Sequence, residues 1–171
     1  MNATSNNTVR AVACGYRRKS RTPFCSMHRP ESPWLVSVRS VWAAVSLGSG
    51  QFVRMMCPIF NAATFRTFLR RLLRQQTPGR RMIVVLDNAR YHHAKLLAAY
   101  LHRHARQLRL LFLPPYSPQL ASIERVWKLT RRLATHNRYF ATLPDVLKAV
   151  NACFDRWRKP NKVLHRLCCI T

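Results

Sequence analysis

The stretch MIVVLDNARYHHAKLLAAYLHRHARQLRLLFLPPYSPQLASIERVWKL, residues 82–129, predicts the fold because strand and helix patterns alternate along it. The apolar runs at 82–86 and 108–113 are typical of strands buried in a parallel sheet. A helix is expected between them, at about residues 93–104. Strand, helix and strand make a βαβ unit with a right-handed crossover, so the two strands should be parallel neighbours.

A β-hairpin and a helix are predicted upstream of this unit. Residues 41–47 and 51–57 are β-prone and are joined by Gly48-Ser49-Gly50, the composition of a short hairpin connection. A helix capped by Asn61 follows, and its inward face is expected to carry Phe65, Phe68, Leu69, Leu72 and Leu73.

Two further helices are predicted downstream. The first begins at Ile123 and is expected to turn inward Ile123, Val126, Trp127, Thr130 and Leu133. The second begins at Thr142, where T-L-P-D resembles a capping box, and is expected to bury Val146, Leu147, Val150 and Phe154. At 171 residues without an internal repeat, the chain is predicted to form one α/β unit.

The charge of the chain favours nucleic acid as the partner. Thirty Lys and Arg against five Asp and Glu give +25, a self-repulsion that a polyanion relieves. A membrane partner is not expected, because the charge is spread along the chain and no apolar run could cross a bilayer. A solvated basic surface and a membrane-surface binder remain the alternatives.

The cysteine pattern predicts reduced thiols in a cytoplasmic protein. The six cysteines form no C-x-x-C pair and follow no signal peptide; they are Cys14, Cys25, Cys57, Cys153, Cys168 and Cys169. Zinc at His165 with Cys168 and Cys169 is disfavoured, since adjacent cysteines rarely bind one ion.

Asp87 and Glu124 are the candidate chemical groups. Asp87 ends a strand at the edge where α/β sheets bind ligands, although an Asp-Asn turn with Asn88 would also explain it. Glu124 lies in the first turn of a helix, where the dipole favours an anion and Lys128 could pair with it. The stiff loop Pro114–Pro118 before it favours a positioned carboxylate.

Two carboxylates held together at this edge would repel each other without a divalent cation between them. Magnesium fits oxygen ligands of this kind. Two such cations can activate a water or a sugar hydroxyl for in-line attack on phosphorus.

LDNARYHHA (86–94) and LPPYSPQLASIERVWKL (113–129) resemble the carboxyl-terminal part of mariner-type DDE transposases of bacterial insertion sequences. The resemblance covers about residues 41–171. It implies an α/β, RNase H-like fold of the retroviral-integrase superfamily, in which helices flank a mixed sheet. It also implies that Asp87 and Glu124, separated by 36 residues, are catalytic and bind two Mg²⁺ or Mn²⁺ ions during DNA cleavage and strand transfer.

The same resemblance implies DNA, namely transposon ends, as the partner, with a homodimer allowed and no small-molecule cofactor. The protein is expected in the bacterial cytoplasm at the nucleoid. Asn88 and His92 fall near the implied site, and the basic side chains expected to contact DNA are Lys95, Arg125, Lys128, Arg131 and Arg132.

The chain departs from the family in two places. Ala121-Ser122 stands where the family usually has Asn-Pro, which leaves Ser122 as a candidate helix cap. The family's first catalytic Asp, on a central strand ahead of the hairpin, and its helix-turn-helix domain are not recognised. Glu31 is a poor substitute because prolines flank it and no strand pattern surrounds it.

Residues 1–40 are therefore predicted to be atypical, either frameshifted or poorly ordered, and residues 41–171 to be an incomplete catalytic domain. Codons for residues 16–34 can be chosen so that another frame encodes a family-like peptide. The first central strand is expected to be missing or replaced; residues 8–14 could fill its place but bring no carboxylate.

Loss of the central strand would remove the middle hydrogen-bond ladder of the sheet, so the protein alone is predicted to be marginally stable, and without the first Asp it is predicted not to cut DNA. The alternative is a non-enzymatic, basic nucleic-acid-binding protein that uses surface arginines on phosphates and stacks Tyr91 or Trp127 on bases. Trp127 is expected to belong to the core instead.

Overall fold

The computed structural model describes the backbone of residues 8–13 and, in full, residues 40–115 and 120–168. Within these residues one sheet has the strand order β3-β2-β1-β4-β5. The strands are β1 (Thr8–Ala13), β2 (Ser40–Ser46), β3 (Phe52–Cys57), β4 (Met82–Leu86) and β5 (Leu108–Phe112). The α-helices are α1 (Ala62–Leu73), α2 (Lys95–Arg103), α3 (Ser122–Thr130), α4 (Leu143–Asp155) and α5 (Lys162–Cys168).

The predicted hairpin and βαβ unit are both confirmed. β2 and β3 pair antiparallel across the glycine-containing turn, and β4 and β5 are parallel neighbours, with Val84 opposite Leu110. The helix between β4 and β5 is shorter than predicted. A short 3₁₀ turn, Arg90–His93, precedes α2, so the chain bends before the α-helix begins.

β1 occupies the centre of the sheet. It pairs antiparallel with β2 and parallel with β4, so that Ala11 lies opposite both Val45 and Val85. The first central strand, expected to be missing or replaced, is thus replaced by Thr8–Ala13, and the middle hydrogen-bond ladder is present. The remainder of the predicted atypical segment, residues 1–7 and 14–39, lies outside the described residues.

Helices cover both faces of the sheet. Successive side chains of β2 point to opposite faces, and because most of them are apolar each face is covered by helices. Trp42 and Ala44 pack on one side with Phe65 of α1 and Leu97 of α2. Ala43 and Val45 pack on the other side, with core side chains from the three later helices: Ile123, Val126, Trp127, Cys153, Phe154, Leu164 and Cys168. No helix in the described residues is long and apolar enough to cross a membrane.

The predicted cap of α1 is confirmed. The Asn61 side chain accepts a hydrogen bond from the Thr64 backbone N–H at 2.8 Å, and Thr64 Oγ1 accepts one from the Asn61 N–H at 3.2 Å. These bonds satisfy backbone donors at the helix start. Of the predicted inward residues, Phe65, Phe68, Leu69 and Leu72 are buried, whereas Leu73 is only partly buried.

The inward face predicted for α3 is right as far as Thr130 and wrong at Leu133. Leu133 is 48% exposed, and Ala134 takes the buried position at 2%. The cause is a π-helical segment, Arg131–Thr135, that continues α3. A π-helical turn contains more residues than an α-helical turn, so the next buried position is one residue later than α-helical spacing predicts.

The last two helices contact the sheet at β3 and at the hairpin turn. Arg54 on β3 donates to Asn151 Oδ1 and pairs with Asp155 Oδ1 at 3.0 Å. Phe154 of α4 is buried as predicted, while the other residues predicted for that face are partly buried: Val146, Leu147 and Val150. α5 was not predicted.

α5 is held against the hairpin turn by a close backbone approach. The Asn161 backbone N–H donates to the Ser49 carbonyl at 2.9 Å, and the Asn161 side chain accepts from the N–H groups of Val163 and Leu164. Gly50 has φ +67, and a Cβ there would lie 2.0 Å from the Asn161 carbonyl oxygen. Only glycine fits this contact.

Candidate active site

Asp87 follows β4 directly, at the edge of the sheet where the parallel strands end. Its Oδ1 accepts a hydrogen bond from the Ala89 backbone N–H at 3.3 Å, as an Asp in a turn commonly does. The side chain is 51% exposed, so the carboxylate is both anchored on the protein side and accessible to solvent.

His92 fixes Asp87 from inside the protein. Its Nδ1 lies 3.0 Å from the Asp87 carbonyl oxygen and 3.2 Å from Asp87 Oδ1. Both oxygens are acceptors, so Nδ1 carries the proton and donates it toward Asp87.

The His92 ring is buried within an aromatic cluster. Its centroid lies 4.4 Å from that of Phe65, 4.7 Å from that of Tyr91 and 5.9 Å from that of Trp42. His92 Nε2 is buried and has no hydrogen-bond partner among the described residues. A ring packed in this way has little freedom to rotate, which keeps Nδ1 directed at Asp87.

Asn88 joins the ends of the two parallel strands. Its Nδ2 donates to the Leu113 carbonyl at 2.7 Å, and the Leu113 N–H donates to the Leu86 carbonyl at 2.8 Å. The side-chain amide of Asn88 therefore holds the loop after β5, which continues toward α3. Residues 116–119 of that loop lie outside the described residues.

Glu124 lies in the first turn of α3 and is exposed. Its carboxylate has no ion-pair or hydrogen-bond partner in the part of the chain that the structure describes, and the expected pair with Lys128 does not form. The predicted cap at Ser122 is wrong: the helix starts at Ser122 itself, so Ala121 occupies the cap position and makes no side-chain cap bond.

The packing of α3 indicates where its first turn points. α5 begins at the hairpin turn, and its last residue, Cys168, donates its thiol to the Ser122 carbonyl at 3.6 Å. Farther along α3, Trp127 packs on Phe52, which starts β3 beside that turn. The hairpin turn lies at the edge where β4 begins, so we infer that the start of α3 is directed toward the opposite edge, where β4 ends.

The described acidic side chains fall into two groups. Asp155 pairs with Arg54, and Asp145 accepts a 2.6 Å hydrogen bond from the Thr142 hydroxyl at the start of α4. These two acids stabilise the packing and the start of α4. All four acids are exposed, but Asp87 and Glu124 lie apart from α4, at the end of β4 and in the first turn of α3.

The described residues contain no group of three His, Cys, Asp or Glu side chains placed to hold a metal ion. β1, the strand beside β4, has the sequence TVRAVA and so contains no acid. Its register with β4 runs from Thr8 opposite Met82 to Ala11 opposite Val85, two residues before Asp87. The central strand therefore brings no carboxylate toward the candidate site.

The basic residues predicted to contact DNA differ in exposure. Four are exposed: Lys95, Lys128, Arg131 and Arg132. Arg125 is half-buried, and its Nη1 donates to the Leu167 carbonyl at 3.0 Å, near the end of α5, where a cation is favoured. Trp127 is 8% exposed, which confirms its place in the core.

The chain matches known proteins over most of its length. Residues 25–147 match the DDE superfamily endonuclease family. The uncharacterized protein y4pE/y4sA of Sinorhizobium fredii (strain NBRC 101917 / NGR234) is 27% identical over 119 residues, covering 70% of this chain and 82% of that protein.

Solved structures of the Mos1 mariner transposase have a similar fold. The Mos1 strand transfer complex matches with a TM-score of 0.59 at 20% identity, over 95% of this chain and 51% of that chain. The Mos1 catalytic domain matches with a TM-score of 0.56 at 20% identity, over 75% and 66%. This chain thus spans about half the length of the Mos1 protein in that complex.

The similarity confirms the predicted α/β, RNase H-like fold. The family match covers Asp87, Asn88, His92 and Glu124, the residues that carry the resemblance in the sequence. This chain belongs to the DDE superfamily endonucleases.

Proposed function

We propose that this chain is part of a transposase that binds DNA and, through Asp87 and Glu124, a divalent cation. The supporting observation is that Asp87 lies at the edge where the parallel strands end and Glu124 has no partner among the described residues, whereas the other described acids, equally exposed, bond within the fold. A Glu124 carboxylate that pairs with no described cation in so basic a chain favours a ligand role over a structural one.

The donor set fits Mg²⁺ or Mn²⁺ in part. Both cations bind carboxylate oxygens, and Mg²⁺ usually takes one or two carboxylates and completes its shell with water and substrate phosphates. The Ala89 N–H and the His92 Nδ1–H hold Asp87 in one orientation, as partners behind a metal ligand do. A cation bound there would stabilise charge that develops on a phosphate.

We further propose that the protein alone does not cut DNA. Two carboxylates make an incomplete set for the two-ion chemistry of strand cleavage and strand transfer, and β1 brings no third. A non-enzymatic nucleic-acid-binding protein is the second candidate, favoured by the same lack of an acid in β1. Both candidates act on DNA at the bacterial nucleoid, and a homodimer is compatible with either.

Binding of Mn²⁺ tests the site directly. Titration followed by the electron paramagnetic resonance signal of free Mn²⁺ should show binding by the wild-type protein, weakened at least about tenfold in Asp87→Asn and in Glu124→Gln. Asp145→Asn is the matched control, because it removes the same charge from an acid bonded to Thr142. Equal effects of all three substitutions would mean diffuse attraction and no site.

Nicking of supercoiled DNA tests activity. The purified protein should leave the plasmid intact in Mg²⁺ or Mn²⁺, because the third carboxylate is not supplied by β1. Metal-dependent nicking that disappears in Asp87→Ala would refute the proposed inactivity while leaving the metal site standing. Binding of a DNA duplex without any bound Mn²⁺ would instead support the second candidate.

A further inference from the structure

A polar groove lies at the edge of the sheet opposite to the one that carries Asp87. The turn at residues 77–81, the end of α1 and residues 106–107 before β5 enclose about 570 Å³. This is the edge at which β4 and β5 begin, and β4 is five residues long. At about 3.3 Å per residue, some 16 Å of strand separates the groove from Asp87.

The groove has fixed walls. Gln76 Nε2 donates to the Arg80 carbonyl and, at 3.0 Å, to the Gln107 carbonyl, so one side chain joins the turn after α1 to the start of β5. The Met82 N–H donates to the same Gln107 carbonyl at 2.7 Å. A site held by such bonds loses little freedom when it binds a ligand.

Three arginines line the groove, and none of the described residues that line it is acidic. Arg81 Nη2 donates to the Ala105 carbonyl at 2.6 Å, which fixes that guanidinium in the wall. Arg80 and Arg106 are exposed and have no ion pair among the described residues. Guanidinium groups bind phosphate oxygens through two parallel hydrogen bonds, so this lining is suited to phosphate.

The positive charge continues beyond the groove along α1, which ends beside it. Arg70, Arg71 and Arg74 are exposed at that end of the helix. Charges repeated along a surface suit a ligand with repeated phosphates better than a single small anion. An acidic protein segment is less suited, since carboxylates of a peptide lack the regular spacing of a phosphate backbone.

We propose that the groove formed by Arg80, Arg81 and Arg106 binds the phosphodiester backbone of duplex DNA, as a contact separate from the Asp87 edge. The contact needs no metal ion, because guanidinium groups bind phosphate oxygens directly. It therefore does not depend on the proposed function of Asp87 and Glu124.

Anisotropy of a labelled DNA duplex, measured with the full chain in EDTA over a series of salt concentrations, tests the proposal. Arg80→Gln with Arg106→Gln should weaken binding on the order of tenfold and lower the slope of log affinity against log salt by about 1.8. The control, Arg156→Gln with Arg158→Gln, removes the same charge from exposed residues that do not line the groove and should change the slope less.

A slope that falls equally in both double variants would overturn the proposal, since only net charge would then matter. Arg80→Lys with Arg106→Lys should retain the wild-type slope, which separates charge from misfolding. Competition by polyglutamate as effective as that by unlabelled duplex would also overturn it, in favour of an acidic protein partner. The anisotropy is measured in EDTA and the metal site by Mn²⁺ titration, so the groove and the metal site can fail independently.

Discussion

His92 shows how a side chain can serve a site without contacting the ligand. Its ring is buried among Trp42, Phe65 and Tyr91, and its Nδ1 proton is directed at Asp87. The positions of Asp87 and His92 were predicted from the sequence. The aromatic cluster was not, because Trp42 and Phe65 come from other elements and only tertiary packing sets them around the ring.

Replacing His92 with Phe should preserve the aromatic packing and remove the donor to Asp87. We expect Mn²⁺ affinity to fall on the order of tenfold, as for other partners behind a metal ligand. Stability should change by no more than about 1 kcal/mol, because the buried Nε2 is removed as well. The Mn²⁺ titration checks the affinity, and urea unfolding checks the stability.

His93→Phe is the matched control for this substitution. His93 is the adjacent residue, is exposed, and stacks on Phe112 with ring centroids 4.3 Å apart. It should retain wild-type Mn²⁺ affinity. If His92→Phe also retained it, His92 would be a core residue with no role in orienting Asp87.

At the scale of elements, sequence periodicity predicted the hairpin, the βαβ unit and the cap of α1, since these depend on neighbouring residues. It could not predict α5. That helix has seven residues, and its position depends on Gly50, more than a hundred residues earlier in the chain. The shift of phase after Thr130 was also missed, because spacing alone does not reveal a π-helical segment.

Gly50→Ala should unfold or loosen the junction between the hairpin turn and α5. The new Cβ would lie 2.0 Å from the Asn161 carbonyl, and φ at this residue is +67. Strain and clash together should cost about 3 kcal/mol or more in the free energy of unfolding. Urea denaturation measures the loss.

Gly48→Ala tests whether the effect of Gly50→Ala comes from the contact with α5. A Cβ at Gly48 meets nothing within 4 Å. Its free energy of unfolding should stay within about 0.5 kcal/mol of wild type. Similar losses in the two variants would show that the turn itself, and not the contact, requires glycine.

Leu133 and Ile123 were predicted to lie on the same face of α3. Because of the π-helical segment, substitutions at these two residues should change the free energy of unfolding by different amounts. Leu133→Ser should change the free energy of unfolding by no more than about 0.5 kcal/mol, because Leu133 is exposed. Ile123→Ala should cost about 2–5 kcal/mol, because Ile123 is 1% exposed. A large loss in Leu133→Ser, measured by urea unfolding, would contradict the shifted phase.

For the whole molecule, composition and the two motifs predicted the family and the fold class. The central strand was predicted only as missing or replaced. β1 pairs with β2 and β4, which lie far along the chain, and such non-local pairing leaves little local signal. The groove with Arg80, Arg81 and Arg106 was missed because its residues fit no motif; the Arg80-Arg81 pair after the Thr77-Pro78-Gly79 turn was the available signal.

Alkaline pH should destabilise the protein through three groups. Burial raises the pKa of the Cys57 and Cys153 thiols above 9.0 and that of the Tyr100 hydroxyl above 10.0. Each group is neutral when protonated, so its contribution is fully present below the unfolded pKa and is lost as pH rises through the folded pKa. The free energy of unfolding should therefore fall above about pH 9.

The double variant Cys57→Ala with Cys153→Ala distinguishes the contribution of these thiols to stability at high pH from that of the many lysines and arginines. The double variant should lose less stability than wild type between about pH 8 and pH 10, in parallel urea titrations. Parallel curves for the two proteins would show that the buried thiols do not contribute.

The central position of β1 also determines when this strand can pair during synthesis. Thr8–Ala13 is translated before both of its neighbours in the sheet, β2 and β4, and cannot be paired on both sides until Leu86 has been made. Until then the nascent chain holds a short β segment and an open hairpin edge, the kind of edge to which other chains add. β1 thus completes its pairing only after about seventy further residues have been translated.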